Sequence, residues 1–130
     1  MPGERPPADA AAGPLRARTA SLLHRRRVEV FDESMLPTLR PGDRLLVDTA
    51  AYRDRPPAVG EIVVLVDPEQ PSRWLVKRVA RVVASAGTVD VRGDASETAR
   101  DSRRFGAVPA RSLIGRVYRV YFPPERRRDL

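Results

Sequence analysis

Ser34, within Asp32-Glu33-Ser34-Met35-Leu36-Pro37-Thr38-Leu39, and Lys77, within Trp74-Leu75-Val76-Lys77-Arg78-Val79, form the pair in this sequence with the plainest nucleophilic chemistry: a hydroxyl, and an amine able to take its proton. Of the 24 basic side chains 23 are arginines, and Lys77 is the remaining one. Arginine does not usefully lose its proton, whereas a lysine held among hydrocarbon can have its pKa drawn down until it acts as a base. Moving a lysine from about 10.4 to near 7 disfavours the charged form by about 4–5 kcal/mol, a large share of a small domain's stability. Two readings of Lys77 stand at this point: a leftover of a coding bias against lysine, on a solvated strand edge, or a base.

Composition removes most competing chemistries. The sequence has no cysteine, which excludes a disulfide framework, a thiol nucleophile and a Cys-based zinc site. His24 is its one histidine, so a Ser-His-Asp triad is improbable, a His-rich metal site is excluded, and neither metal nor cofactor is expected. The formal charge of +7 suggests nucleic acid, but the arginines are scattered, with clusters only at Arg25–Arg27 and Arg126–Arg128, and aromatics are 5% of the chain. A dedicated nucleic-acid module is not expected. No run approaches the roughly 18–20 apolar residues that cross a bilayer, and no secretory leader pattern is visible. The sequence therefore reads as a soluble cytoplasmic protein without a transmembrane anchor, with peripheral contact of a basic end at an anionic membrane as the alternative.

The elements that must position Ser34 and Lys77 are short strands between turn residues. Residues 1–27 are rich in Pro, Ala and Arg and read as a flexible basic tail, with a short helix around Leu15 to Arg27. Val28-Glu29-Val30-Phe31 reads as the first strand, Pro41-Gly42-Asp43 as a turn and Arg44 to Asp48 as the next strand. Ile62 to Val66 has the length of a buried strand, and Arg73 to Ala84 reads as a long one. Alternation along the latter places Lys77 on one face with Leu75 and Val79, and Trp74, Val76 and Arg78 on the other. Gly87 turns the chain into Thr88 to Val91, a polar loop runs from Gly93 to Arg104, and Ser112 to Phe122 closes the body as one strand or a strand pair. The expected fold is all-β, a compact, partly open barrel over residues 28–123, followed by a basic tail at 124–130.

These residues together resemble the type I signal peptidase family, the serine-lysine peptidases. Ser34-Met35-Leu36-Pro37-Thr38-Leu39 with Pro41-Gly42-Asp43 looks like its nucleophile box, Gly60-Glu61-Ile62-Val63 like its second box, and Lys77-Arg78 like its general-base box. Gly93-Asp94 through Asp101-Ser102-Arg103-Arg104-Phe105-Gly106-Ala107-Val108-Pro109 looks like its C-terminal box. The resemblance implies the catalytic core shared with self-cleaving Ser-Lys proteases. It implies Ser34 as nucleophile, Lys77 as base, and Ser34, Met35 and Pro37 as the box that aims the Ser34 N–H at an oxyanion. Arg78 would orient the Lys77 strand, and Asp94 and Ser102 would support the site. Asp101 and Arg103 look like the family's ion pair beneath the site, with an ordinary surface pair as the equal alternative.

Three departures accompany the match. Asp32 stands two residues before Ser34, where the family often has Ser or Gly; it is expected either to point away or to leave the oxyanion to the backbone. Ala95 replaces the usual Asn, and Ala99 stands where many members have a Ser that hydrogen-bonds the lysine, with Ser96 or Thr98 as stand-ins. The chain looks most like short, anchor-free members such as the nickel-type superoxide dismutase maturation proteases. Its partner would be a precursor protein, bound as an extended peptide along a strand edge. The rivals are a self-cleaving Ser-Lys autoprotease, for which Ala12-Gly13 resembles the cleavage site, and a catalytically silent peptide-binding β-barrel.

Overall fold

A computed structural model of the chain describes residues 22–95 and 100–130, and the expectations for Ala12-Gly13, Ser96, Thr98 and Ala99 lie outside them. The regular elements of the described residues are mainly strands: β1 (Arg25–Glu29), β2 (Arg44–Asp48), β3 (Ile62–Val66), β4 (Trp74–Val83), β5 (Thr88–Arg92), β6 (Val108–Pro109), β7 (Leu113–Phe122) and β8 (Arg128–Asp129). One short helix, α1 (Ser102–Phe105), interrupts them between β5 and β6. The strands join in the order β1-β2-β7-β3-β4-β5-β6, with β8 on β7, and every pairing is antiparallel. The sheet curls into a half-barrel, the expected all-β, partly open form.

The aliphatic run of β3 has a structural cause. This strand lies between β4 and β7, and its alternate side chains feed two separate cores. Ile62 and Val64 pack with Met35, Leu39, Leu45, Val47 and Val117, whereas Val63 and Leu65 pack with Leu75, Val79, Val89, Val91 and Val108. A strand with apolar neighbours on both faces has no position for a polar residue. On β4, Lys77 lies opposite Val63 and on the face of Leu75 and Val79, so it enters the second core. Gly42 (φ +95°) and Gly87 (φ +64°) make the turns into β2 and β5 with positive φ angles that other residues rarely adopt.

Both ends of the domain differ from expectation. In place of a helix reaching Arg27, the chain makes one 3-10 turn at Leu22–His24 and enters β1 at Arg25, three residues before the expected strand. The ladder from Arg25↔Asp48 to Glu29↔Arg44 is made by backbone groups, and Arg26 lies over the Trp74 ring at 5.1 Å. An arginine-rich strand forms because the ladder asks nothing of its side chains. The basic tail expected at 124–130 is likewise folded. Pro124–Arg126 forms a 3-10 turn, β8 pairs with β7, and Leu130 packs against the first core. Arg126 grips the fully buried Asp43 with two bonds, Nε to Oδ1 at 2.7 Å and Nη2 to Oδ2 at 2.9 Å. The cationic composition of this segment serves a buried carboxylate far away in sequence, and no local pattern reveals that.

Candidate active site

The loop carrying Ser34 is pinned at its base and at its crown. Val30 N–H donates to Asp43 C=O at 2.9 Å, and Gly42 N–H returns to Val30 C=O at 2.8 Å. Between these bonds, Met35 and Leu39 plug the first core, and Leu39 N–H closes one turn on Met35 C=O at 2.9 Å. Ser34 adjoins that plug and is 5% exposed. Pro37 sits on the exposed side of the turn, after a cis Leu36–Pro37 peptide. The C-terminal residues brace this loop too: Arg128 Nη2 donates to Thr38 C=O.

Lys77 is 1% exposed. It lines, with Ser34, Asp32, Leu75, Arg73 and Arg100, one cavity of about 440 Å³. Burial pushes its ammonium below the ordinary lysine range; Arg100 and Arg103 add to that, while the charges of Asp32 and Asp101 oppose it. Ser34 Oγ is buried and has no hydrogen-bond partner among the described residues, Lys77 Nζ included. Catalytic hydrogen bonds in unliganded sites are often long and tighten only on the substrate. A buried hydroxyl that shares a cavity with an amine biased toward its neutral form has the chemistry to give that amine a proton.

The segment after β5 lies over Ser34. Ala95 N–H donates to Ser34 C=O at 2.9 Å, and a Cβ placed on Gly93 would stand 2.5 Å from that same oxygen. Gly93 N–H in turn donates to Asp101 Oδ2 at 2.9 Å. Asp101, fully buried, also accepts the Arg103 N–H at 3.0 Å, Nε at 3.1 Å and Nη2 at 2.7 Å, and it caps α1. Burial alone would raise the Asp101 pKa, but the Arg103 guanidinium and the Gly93 and Arg103 amides outweigh it and hold it at about 2. Because the folded value lies below the ordinary 3.8, this carboxylate stabilises the fold above that pH, and the contribution is lost as pH falls through about 2. Asp101→Asn is expected to lose about 2 kcal/mol near neutral pH and to flatten the fall in stability between about pH 4 and 2. Denaturant unfolding across that range checks both.

Arg78, the residue after Lys77, points to the other face and fastens the site there. Its Nε and Nη2 take Asp94 Oδ1 and Oδ2 at 2.9 and 2.7 Å, and its Nη1 donates to Gly60 C=O at 2.8 Å. Thr38 Oγ1 donates to Asp94 Oδ2 at 2.6 Å, so one carboxylate joins the Lys77 strand to the Ser34 loop. The Arg78 guanidinium holds Asp94 below the usual carboxylate range. Ser102 Oγ accepts Val91 N–H at 2.8 Å and ties α1 to β5. Sequence reasoning assigned no role to Thr38, Arg100 or Arg126. Thr38 lies in the Ser34 motif itself, but Arg100, which pairs with Asp67 and Glu69, and Arg126 have partners visible only in space.

Asp32 neither points away nor leaves the backbone free. Its Oδ1 accepts the Ser34 N–H at 3.0 Å, the amide expected to face an oxyanion. An Asp side chain two residues before an amide closes such a turn readily, and that local bond wins.

Among the described residues, no cluster of His, Cys, Asp and Glu could hold a metal, and no helix is long and apolar enough to cross a membrane. Comparison with known proteins adds the family context. The sequence matches the signal peptidase, peptidase S26 family over residues 18–89, a span that includes Ser34 and Lys77 and stops before Asp94. It is 36% identical over 113 residues to the mitochondrial ATP-independent inner membrane protease subunit 1b of Arabidopsis thaliana, covering 70% of this chain and 67% of that protein. It is 27% identical over 136 residues to the probable signal peptidase I-1 of Synechocystis sp., covering 72% of this chain and 69% of that one. The probable thylakoidal processing peptidase 2 of Arabidopsis thaliana is 27% identical over 160 residues, which cover 44% of its length.

Proposed function

The chain belongs to the signal peptidase S26 family and is a peptidase, and from that premise we propose that it is a serine endopeptidase cutting a leader or propeptide from a precursor protein, with Ser34 as nucleophile and Lys77 as base. The observation that carries this reading is the shared cavity in which a buried hydroxyl and a buried amine, biased toward its neutral form, lie together. Lys77 would take the Ser34 proton as Oγ bonds to the peptide carbonyl carbon. The protonated amine then gives that proton to the leaving nitrogen as the C–N bond breaks, which leaves an ester on Ser34. Water, losing a proton to Lys77, attacks the ester carbonyl; the C–Oγ bond breaks, Ser34 Oγ takes the proton from Lys77, and the product leaves with a new carboxyl end.

The substrate would lie extended along the edge of β1 that no described strand pairs, β1 being terminal in the sheet order. A cavity of about 600 Å³ follows that edge, with Val28, Val30, Met35, Trp74 and Val76 in its wall, and joins the Ser34 cavity at Asp32 and Arg73. Backbone pairing there supplies affinity, and the apolar wall selects small apolar side chains before the cut. Incubating candidate precursors with wild-type and Ser34→Ala protein, with products read by mass spectrometry, tests the proposal. Cleavage at one bond by wild type alone is expected, and equal cleavage by both proteins ends it.

A further inference from the structure

The Ser34 amide is already occupied. Its N–H donates to Asp32 Oδ1 at 3.0 Å, and Asp32 lines the same cavity as Ser34 and Lys77. An acyl transfer at Ser34 develops a negative oxygen on the former carbonyl, and the nucleophile's own amide is the donor best placed to receive it. Two anionic oxygens cannot share that single N–H, and at hydrogen-bond separation they repel each other. The Asp32 side chain is exposed, so it can leave into water, and Arg73 lines both cavities that meet at Asp32.

Resting on the Ser34 reading above, we propose that Asp32 is a positioning residue that competes for the oxyanion donor: its carboxylate holds the Ser34 amide in the resting protein and must yield it before the acyl oxygen can settle there. An uncharged loop anchor would orient the amide without this competition. In the resting state Asp32 keeps the loop turn closed. During attack it opposes the charge that develops. Its negative charge also favours the protonated form of Lys77, against the burial that favours the neutral one, so the same carboxylate restrains both halves of the reaction.

The test compares wild type, Asp32→Asn, Asp32→Ala and Ser34→Ala. Asparagine keeps an acceptor oxygen, and so the turn, while removing the charge; it serves if the alanine variant does not fold. A β-lactam acyl donor is the probe, with Ser34 acylation followed by intact mass, and the Ser34 amide is followed by proton-nitrogen NMR. One oxyanion donor contributes about 100- to 1000-fold to turnover in well-studied hydrolases, so both Asp32 variants are expected to acylate at least roughly 10-fold faster than wild type at saturating probe, with the half-saturating concentration little changed. The Ser34 amide proton is expected to shift upfield in Asp32→Ala, a signal that a purely structural effect on stability would not produce. Equal or slower acylation in both Asp32 variants, or an unmoved Ser34 amide in Asp32→Ala, overturns this inference and leaves the peptidase reading standing. Absence of an adduct on wild type and Asp32 variants alike, or an undiminished adduct on Ser34→Ala, overturns the Ser34 reading and the inference with it.

Discussion

Lys77→Met is expected to reduce peptide cleavage by about 10⁴-fold or more while leaving the fold intact and more stable. Methionine is close to lysine in length and flexibility and fits the space between Leu75 and Val79, so packing is preserved. What disappears is the cost of keeping an amine in a site where burial disfavours its charge. Replacing a buried polar or ionic group by an apolar one of similar volume is often worth about 1–3 kcal/mol in stability. Opposite signs for activity and stability would mark Lys77 as a residue kept for chemistry. Loss of both together would mean that it is structural.

The pH dependence follows from the direction of the shift. The folded-state pKa of Lys77 lies below 10.5, its ordinary value. Activity should rise with pH as the amine loses its proton, and a residual rate in the methionine variant should lack that rise. Between the lowered pKa and the ordinary one, the unfolded chain binds a proton that the folded chain does not, so this group makes stability increase with pH. The methionine variant loses that increment. Initial rates and denaturant midpoints measured over one pH series read both effects.

Gly93→Ala should be nearly as damaging by a different route. Its new Cβ would lie 2.5 Å from the Ser34 carbonyl oxygen and 3.3 Å from Ser34 Cβ. The first contact is with backbone, so no side-chain rotation relieves it. Shifting the oxygen disturbs the bond from Ala95 N–H, and shifting Gly93 disturbs its bond to Asp101. A loss of about 2–4 kcal/mol is expected, with at least 100-fold in turnover, because a displacement near 1 Å at a reacting atom costs that much. Gly115→Ala is the control, since its Cβ would stand 2.4 Å from Asp48 C=O, between β7 and β2. It should lose comparable stability while the folded fraction keeps its turnover. Equal turnover in both variants would show that Gly93 does not set the position of Ser34.

The middle of the fold was legible because hydrophobic pattern and turn chemistry agree there. Ile62–Val66, Trp74–Val83 and Leu113–Phe122 are aliphatic or alternating runs between Pro, Gly and Asp, and each became a strand close to its expected bounds. The ends were not legible. Arg25–Arg27 and Arg128–Asp129 are charged strand residues held by backbone pairing, which composition reads as solvated tail. At the site, residue type and flanking hydrocarbon singled out Ser34 and Lys77, and the structure sets them in one cavity. Thr38 on Asp94 and Arg126 on Asp43 could not be read, since each spans more than fifty positions. Asp32 shows a different limit: the two-residue spacing allows the turn that seats its carboxylate on the Ser34 amide, its charge argues against that place, and spacing alone does not say which wins.

The clasp between Asp43 and Arg126 ties the base of the Ser34 loop to a segment far downstream. Translation delivers Arg126 83 residues after the carboxylate it holds, so a nascent chain already carrying Ser34 and Lys77 still lacks the brace for its Ser34 loop. The rigidity of that loop is thus a property of the folded domain, acquired only once the segment bearing Arg126 has closed back onto it.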